Sequence, residues 1–380
     1  MRHKYVLTLL MCVSLTMMPG CWDQNLLKNI SLVLTSTIDQ GEDDNAKVSI
    51  TYRKVQQSQS MQQGSSGTYS TTVLTTNAPT LRKAGTDFRR MVDQKIDMSK
   101  MRVLLISDEF SQNQLLPYLD MYYRDPKSPL LANLAIVKGG STIDVINKLL
   151  KEQLIVSDYL NNLITTASRG SQVTAENIQS IRSKMLQAGE DFTLPLILFD
   201  QSKQLIKVAG VALFDNEKKT GELYGQDAML LNLMNNKIGK YANFTKKIRN
   251  DMKLKGNNYI TIQVTDSKRD IRILNSDHRN VTIGLDFEFN TAVIEYPKDN
   301  LDSTKKIDEL NKRLSAIFTK EAEKVISVLQ QSNSDVLSLG RKYRVQHYDE
   351  YVKMNWKTDY PNVKIIPKIK VNITETGIIS

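Results

Sequence analysis

A single cysteine at the end of a short apolar segment is the residue of this sequence best placed to undergo chemistry. The chain has a basic start, continues through an apolar segment over residues 5–18, and reaches Cys21 through Pro19 and Gly20. A cationic start, an apolar middle and a small residue at the cut are the parts of a secretory signal. A cysteine directly after the small residue makes it a lipoprotein signal. We therefore expect removal of residues 1–20 and attachment of a diacylglyceryl group to the thiol of Cys21, with a further acyl chain on its amine.

The apolar segment is too short to cross a bilayer, which takes about 20 apolar residues. Lipoprotein signals usually carry Leu, then Ala or Ser, before the small residue, so Met18 is an apolar substitute and Pro19 a departure. The alternative is an ordinary signal peptide with an incidental cysteine. Because Cys21 lies where the apolar run ends, we favour lipidation. Two or three acyl chains, at ~0.8 kcal/mol per buried methylene, hold a protein stably on a membrane.

The other residues that could do chemistry form no catalytic or metal-binding pattern. His3 lies in the signal, and His278 and His347 are far apart in the chain without cysteine ligands nearby, so there is no metal signature. No Gly-x-Ser-x-Gly nucleophile motif is present. The adjacent carboxylates of Asp349 and Glu350 are expected to point apart. We therefore expect no enzymatic activity, no metal and no cofactor.

Two glycines ahead of a helix are the nearest approach to a phosphate-binding loop. Gly139 and Gly140 precede Ser141, and free amides at a helix start can hold an anion. No Lys–Ser/Thr pair follows, as a phosphate loop would require. We interpret the stretch as a turn followed by a capping box between Ser141 and Asp144.

The charge balance is basic, with 51 Lys and Arg against 41 Asp and Glu, a net charge of +10. The basic residues are scattered, and small clusters over 246–249, 253–255 and 341–344 are first interpreted as solvated surface. A second interpretation is attraction to anionic lipid head groups. Nucleic acid is not an expected partner, because the chain is exported and lacks basic–aromatic interleaving. With Cys12 in the signal, the mature chain has one cysteine and no internal disulfide.

The first half of the mature chain has the pattern of a mixed α/β unit. Residues 26–35 and 46–55 predict paired strands, and the polar stretch 56–77 predicts a long loop. Apolar residues at helical spacing follow over 81–92. Strands and helices alternate from residue 102 onward. We expect a domain over residues 21–195, with two subdomains.

The pattern changes near residue 195 to strands joined by tight polar turns. Strict alternation over 260–264 and 281–289 predicts an antiparallel sheet with one solvent-exposed face. Residues 304–331 predict the longest helix, about 42 Å, whose apolar stripe packs across the sheet. An alternating strand closes the chain. We expect a second domain over residues 196–380, which makes the fold class α/β mixed (α+β), built from several small domains.

Several short stretches in a fixed order carry a family resemblance. They are Cys21–Trp22–Asp23, 76–84 (TNAPTLRKA), 210–214 (GVALF), 221–223 (GEL), 335–340 (DVLSLG), Trp356 and Tyr360–Pro361. Taken together, and over nearly the whole chain, the sequence resembles the Ger(x)C family, the lipoprotein C subunits of nutrient germinant receptors in spore-forming bacteria. Each stretch is short, and their order makes the resemblance specific.

The resemblance implies a non-catalytic subunit of a three-subunit receptor at the inner membrane of the dormant spore. Its partners would be the integral membrane A and B subunits, and the lipid held through Cys21. The C subunit would lie on the outer face of that membrane, and it would be required for germination in response to nutrients. The family's fold is three mixed α/β domains. Its only residue with an assigned chemical role, the lipidated cysteine, corresponds to Cys21.

Two other functions compete with this one. A solute-binding lipoprotein of a transporter would carry two lobes of repeated βαβ units, which the predicted antiparallel second half disfavours. A lipid-anchored wall hydrolase would need a catalytic acid or a metal set that the sequence does not display.

Overall fold

Two hydrogen-bonded sheets organise the chain in the computed structural model, which describes residues 30–55, 69–297, 301 and 303–376. The strands are β1 (Ile30–Gln40), β2 (Ala46–Val55), β3 (Tyr69–Ala78), β4 (Lys95–Asp97), β5 (Val103–Ser107), β6 (Asn133–Lys138), β7 (Thr193–Asp200), β8 (Leu205–Asp215), β9 (Lys218–Tyr224), β10 (Ala242–Lys247), β11 (Tyr259–Asn275), β12 (Thr282–Glu295) and β13 (Lys364–Glu375). The helices are α1 (Leu81–Phe88), α2 (Leu116–Arg124), α3 (Thr142–Lys151), α4 (Val156–Arg169), α5 (Ile178–Leu186), α6 (Gly225–Met234), α7 (Thr304–Gln331), α8 (Leu339–Gln346), α9 (Tyr348–Tyr351) and α10 (Trp356–Asp359).

The large sheet has the strand order β3-β2-β1-β5-β6-β7-β8-β9, and β4 pairs with β1. Its centre is parallel, from β1 through β5 and β6 to β7, and its two ends are antiparallel. Val103 and Leu105 of β5 pack in one core with α3 and α4, while Leu104 and Ile106 pack in another with α1, α2 and α5. Burial on both faces explains the continuous apolar run of this strand.

The long loop predicted over 56–77 is wrong for its last part, which is strand β3. This strand pairs antiparallel with β2 from Val55↔Tyr69 to Ala46↔Ala78. Its sequence is rich in threonine, and β-branched residues favour strands even where large apolar side chains are few. Residues 56–68 lie outside the described ranges. The first strand, β1, continues to Gln40, beyond the predicted end at residue 35, and residues 26–29 of the prediction lie outside the described ranges.

Three strands expected in the second half complete the large sheet. β7 pairs parallel with β6, as at Ile136↔Leu196, and β8 and β9 follow as antiparallel neighbours. The expectation that they belong to the second sheet is wrong. The reason is that β7 is buried on both faces, with Leu196 in one core of the large sheet and Ile197 in the other. The predicted boundary between residues 195 and 196 falls inside β7.

The small sheet has the order β10-β11-β12-β13, and its last pair corrects a second expectation. β10–β11 and β11–β12 are antiparallel as predicted, whereas β12 and β13 are parallel, from Thr282↔Lys364 onward. Parallel neighbours require a crossover connection, and α7 lies within it. Helix α7 has the predicted bounds, and its stripe, with Leu314, Phe318 and Val325, is buried in the core with this sheet.

Besides the two cores of the large sheet described above, a further hydrophobic core contains residues from both sheets. Val211, Leu213 and Leu223 from the large sheet belong to the same buried cluster as Phe289 of the small sheet and Phe318 of α7. The predicted fold class, mixed α/β with a C-terminal sheet and a long packed helix, is confirmed. The region in which the two sheets meet is therefore the natural place to look for the residues that carried the family resemblance.

Candidate functional site

The residue with the clearest predicted chemistry, Cys21, lies outside the described ranges. Lipidation at Cys21 stays a prediction. Among the helices that the structure describes, none is both long enough and apolar enough to cross a bilayer.

Most of the described stretches that carried the resemblance meet in one buried region between β7–β9 and the segment after α7. We call this region the junction and define it by Asp191, Asp335, Gly340, Trp356 and Tyr360. Trp356 is 4% exposed and Tyr360 is 1% exposed. The stretch 76–84 is the exception, since it runs from β3, at the opposite edge of the large sheet from β9, into α1.

The carboxylate of Asp335 is the hub of the junction. It accepts hydrogen bonds from the backbone N–H of Leu339 at 2.8 Å, from that of Gly340 at 2.7 Å, and from Nε1 of Trp356 at 3.0 Å. The two amides open α8, where helix geometry leaves N–H groups without an internal partner. Burial raises the pKa of Asp335 well above its usual value. Three donors on one carboxyl therefore fix α8 and Trp356 to the chain that leaves α7.

Asp191 connects this hub to the large sheet. Its Oδ2 accepts from the backbone N–H of Asp335 at 2.7 Å, and its Oδ1 accepts from the N–H of Asn216 in the β8–β9 turn at 2.7 Å. Its own N–H donates to the carbonyl oxygen of Asp335 at 3.1 Å. Burial raises the pKa of Asp191 to about 6. The two aspartates are thus linked reciprocally across 144 positions of sequence.

Close backbone approach explains the glycines of the junction. A Cβ at Gly340 would lie 2.4 Å from Nε1 of Trp356 and 2.7 Å from Cα of Gly189. Gly189 has a φ of +82°, a conformation that favours glycine. Around them the rings of Tyr343, Trp356 and Tyr360 succeed one another at centroid distances of 5.9 and 5.8 Å. These close contacts pack the backbone at Gly189 and Gly340 directly against the aromatic rings.

The stretches in β8 and β9 join the same region through backbone contacts. Ser334 donates through its hydroxyl to the carbonyl oxygen of Phe214 at 2.5 Å, and Tyr360 donates to the carbonyl oxygen of Ser334 at 3.3 Å. A Cβ at Gly221 would lie 2.0 Å from Oγ of Ser332. The family stretches therefore build one structural joint rather than a set of reacting groups.

The glycine turn before α3 behaves as a turn and cap, which confirms that interpretation. Ser141 and Asp144 form the predicted capping box, and Gly139 has a φ of +88°. The next amide, of Thr142, donates to the carboxylate of Asp39 at 2.9 Å. Burial raises the pKa of Asp39 above its usual value. The start of α3 is thus occupied by two carboxyl groups of the chain itself.

One side-chain cluster could not be found from the sequence. Nδ1 of His278 lies 2.8 Å from a carboxylate oxygen of Glu350 and 3.5 Å from one of Asp277. Lys353 contacts the same Glu350 carboxylate, and the two bonds, first to Lys353 and then to His278, lower the pKa of Glu350 to about 2. Arg279 lies 3.7 Å from Asp277. Cations of the protein therefore already neutralise the carboxylates that a metal would need.

An open groove of about 590 Å³ lies between α1 and α2. Its charged groups pair with each other, since Arg82 lies 3.6 Å from Asp125 and Arg124 lies 2.6 Å from Asp120. A small zwitterionic solute has the size to enter, but it would compete with these pairs for the same charges.

Comparison with solved structures shows that this two-sheet fold occurs in another protein. The chain is similar to the structure described as "Crystal Structure of the GerBC protein", with a TM-score of 0.58, 16% sequence identity, and coverage of 89% of this chain and 96% of that one. At this identity the likeness shows a shared fold.

Sequence comparisons then give the family. One family model, "Spore germination protein N-terminal domain", matches residues 23–198, and a second, "Spore germination B3/ GerAC like, C-terminal", matches residues 209–377. The chain is also 21% identical over 391 aligned residues to YfkR of Bacillus subtilis (strain 168), whose name describes it as a spore germination protein; the match covers 99% of this chain and 97% of YfkR. The chain belongs to the GerAC-like, or Ger(x)C, family of spore germination proteins.

Proposed function

We propose that this protein is the lipid-anchored C subunit of a nutrient germinant receptor. It is held through Cys21 on the outer face of the spore inner membrane, and it acts by contact with the integral membrane A and B subunits without catalysing a reaction. The observation that carries the proposal is the match of both family models, in order, over most of the chain.

The geometry of the described residues supports a role in binding rather than catalysis. The buried carboxyl groups of Asp191 and Asp335 are both bonded to backbone amides of the chain. The buried Glu176 is paired at 2.7 Å with both Lys184 and Lys237. Buried polar groups whose hydrogen bonds are satisfied in this way rigidify a fold, which is the role that we propose for them.

Contact with the membrane subunits would use surfaces that the fold leaves open. Strand β3 is at one edge of the large sheet, next to residues 56–68, and the small sheet has a face lined with charged side chains such as Lys268, Asp270 and Glu288. We propose one of these as the docking surface for A or B. Cysteines placed singly on each would be crosslinked in spores, and failure to capture either subunit from any position contradicts the proposal.

The test of the anchor is Cys21→Ala, with Cys12→Ala as the matched control, since Cys12 lies in the signal peptide. We expect Cys21→Ala to release the protein from the spore membrane fraction and to abolish or strongly reduce nutrient-triggered germination. Cys12→Ala is expected to preserve both. Normal membrane retention and normal germination with Cys21→Ala would overturn the proposal.

A solute-binding lipoprotein of a transporter is the alternative function, and the groove between α1 and α2 is the observation that favours it. Calorimetric titration of the purified full chain with amino acids and sugars separates the two. We expect no heat of binding at micromolar concentrations. Tight binding that is lost in Arg124→Gln would favour the alternative.

A further inference from the structure

In the loop between β10 and β11, cations without an ion pair among the described residues lie beside an exposed apolar residue. We call residues 247–257 the basic loop; its cations are Lys247, Arg249, Lys253 and Lys255. Leu254 is 72% exposed and stands between two of the lysines. Single exposed leucines are common on protein surfaces. Leu254 differs from an isolated exposed leucine in that a lysine flanks it on each side.

Arg313 of helix α7 extends the positive charge of this loop. Together with Lys247 and Arg249 it lines an open groove of about 550 Å³, in which Asp251 is the one carboxylate among the described lining residues. None of the three cations lies within 4.0 Å of a carboxylate in the described part of the chain. Their neighbour Lys246 is the contrast, since it is buried and paired with Glu321 at 2.5 Å.

The basic loop is fixed by hydrogen bonds rather than left to vary. The side chain of Asn258, which is 6% exposed, accepts from the backbone N–H of Met252 and donates to its carbonyl oxygen, both at 3.2 Å. The N–H of Ile248 donates to the carbonyl oxygen of Asn258 at 2.8 Å. The N–H of Asn257 donates to the carbonyl oxygen of Leu254 at 3.1 Å. Leu254 therefore stands at the tip of a closed loop, and its exposure is built into the fold.

We propose that the basic loop is a second membrane contact, in which Leu254 enters the head-group region of an anionic bilayer and the surrounding cations bind lipid phosphates. Lysine and arginine near a negatively charged leaflet are attracted to it, and their long side chains reach the phosphates while their stems stay on apolar surface. A free anion would use the groove alone, whereas the adjoining apolar tip matches a lipid surface. This inference rests on the membrane location in the proposed function.

The experiment places an environment-sensitive dye on Leu254→Cys in the full-length lipidated protein, reconstituted on vesicles. Neutral phosphatidylcholine vesicles are compared with vesicles containing one third phosphatidylglycerol. We expect a blue shift of the dye emission, and its quenching by spin-labelled lipid, on the anionic vesicles only. Raised salt is expected to reverse both effects, since it screens the attraction. The unsubstituted protein reports any labelling of Cys21.

Two matched controls separate the loop from the rest of the surface. A dye on Leu131→Cys, whose leucine is 75% exposed, should stay in water on both kinds of vesicle. Adding Lys253→Gln and Lys255→Gln to the labelled protein should reduce the signal on anionic vesicles to the level on neutral ones. The pair Lys364→Gln and Lys368→Gln, exposed lysines of β13, should leave the signal unchanged.

The outcomes distinguish this inference from the proposed function. Protein that fails to float with neutral vesicles speaks against the anchor, whereas the dye signal decides the loop separately. A dye at position 254 that stays in water on anionic vesicles, or that responds equally on neutral ones, overturns the inference. The same emission change with inorganic phosphate alone would reassign the groove to a free anion and would overturn it too.

Discussion

The junction and the basic loop use polar groups in opposite ways. In the junction the carboxylates of Asp191 and Asp335 are buried, and all four of their oxygens accept hydrogen bonds from the chain. In the basic loop Lys253 and Lys255 are exposed, and the apolar side chain between them is exposed as well. In the junction the polar groups are already bonded to the protein itself, whereas in the basic loop the charged and apolar side chains are exposed to a partner.

The difference teaches where function should be sought in this fold. Most of the described stretches that carry the family resemblance meet in the junction, and there they set backbone contacts and packing. Such residues determine the fold and its stability. Partners, by contrast, must be met by surfaces whose groups are not already paired, because a buried and satisfied network has no bonding capacity left. The comparison predicts large effects on stability in the junction and effects on binding alone in the loop.

The largest expected effect is that of Gly340→Ala. The added Cβ would overlap the indole of Trp356 and the backbone at Gly189, and overpacking against backbone is expected to destabilise the protein by about 3 kcal/mol. Thermal unfolding followed by circular dichroism measures it. The matched control is Gly85→Ala in α1, where the added Cβ would have no atom within 4 Å apart from the backbone of its own helix. This substitution is expected to raise the free energy of unfolding by about 0.4–1 kcal/mol. Equal midpoints for the two variants would contradict the packing account.

The next effect is that of Trp356→Phe, which removes one of the three donors to Asp335 and leaves a small cavity. Losing a hydrogen bond to a buried carboxyl is expected to lower the free energy of unfolding by about 2 kcal/mol. Denaturant unfolding gives the value. Tyr348→Phe, at a tyrosine that is 63% exposed, serves as the control and should change it by less than about 0.5 kcal/mol. A Trp356→Phe protein as stable as the parent would remove Asp335 from its role as hub.

The pH dependence of stability should identify Asp191. With its pKa raised to about 6, the folded state holds a proton on this group that the unfolded state releases near pH 4. The free energy of unfolding therefore falls as the pH rises from about 4 to about 6, by up to about 2 kcal/mol from this group. Asp335, whose pKa is also raised by burial, contributes with the same sign.

The measurement is the difference between the stability curves of the parent and of Asp191→Asn over that interval, since other groups titrate there as well. The asparagine keeps an acceptor oxygen and loses the titration. A constant difference between the two curves would show that Asp191 is ionised throughout.

The smallest expected effect is in the basic loop. Lys253→Gln with Lys255→Gln should change the free energy of unfolding by less than about 0.5 kcal/mol, because surface substitutions away from packed features are close to neutral. Denaturant unfolding of the same preparation used for the vesicle experiment checks this. A loss comparable with that of Trp356→Phe would mean that these lysines belong to the structure, and the contrast between the two regions would fail.

Local patterns in the sequence were sufficient where the determinants are local. Helix α7 follows from its apolar periodicity, and the capping box at Ser141 follows from residues three positions apart. Strand β3 was missed because a threonine-rich strand resembles a polar loop when only large apolar residues are counted. The parallel pairing of β13 could not be read from its alternation, since alternation fixes the buried face and not the neighbour.

The junction was visible in the sequence only as separate short stretches. Asp191 and Asp335 are joined over 144 positions, and no pattern along the chain connects them. The basic loop was visible as a charge cluster, and its exposed tip was not. The sequence therefore showed the short stretches of the junction and the charge cluster of the basic loop. Only the tertiary structure showed that the first are buried and bonded and that the second is exposed.

The most direct test of this account is native-state hydrogen exchange on the parent protein and on Gly340→Ala. The junction bonds the segment after α7 to the large sheet, and α7 packs in the core of the small sheet. We therefore expect the two sheets to form one cooperative unit, in which β8 and β11 open with the same free energy. Gly340→Ala should lower protection in both strands by the same amount. Loss of protection in β11 alone, with β8 unchanged, would contradict the claim.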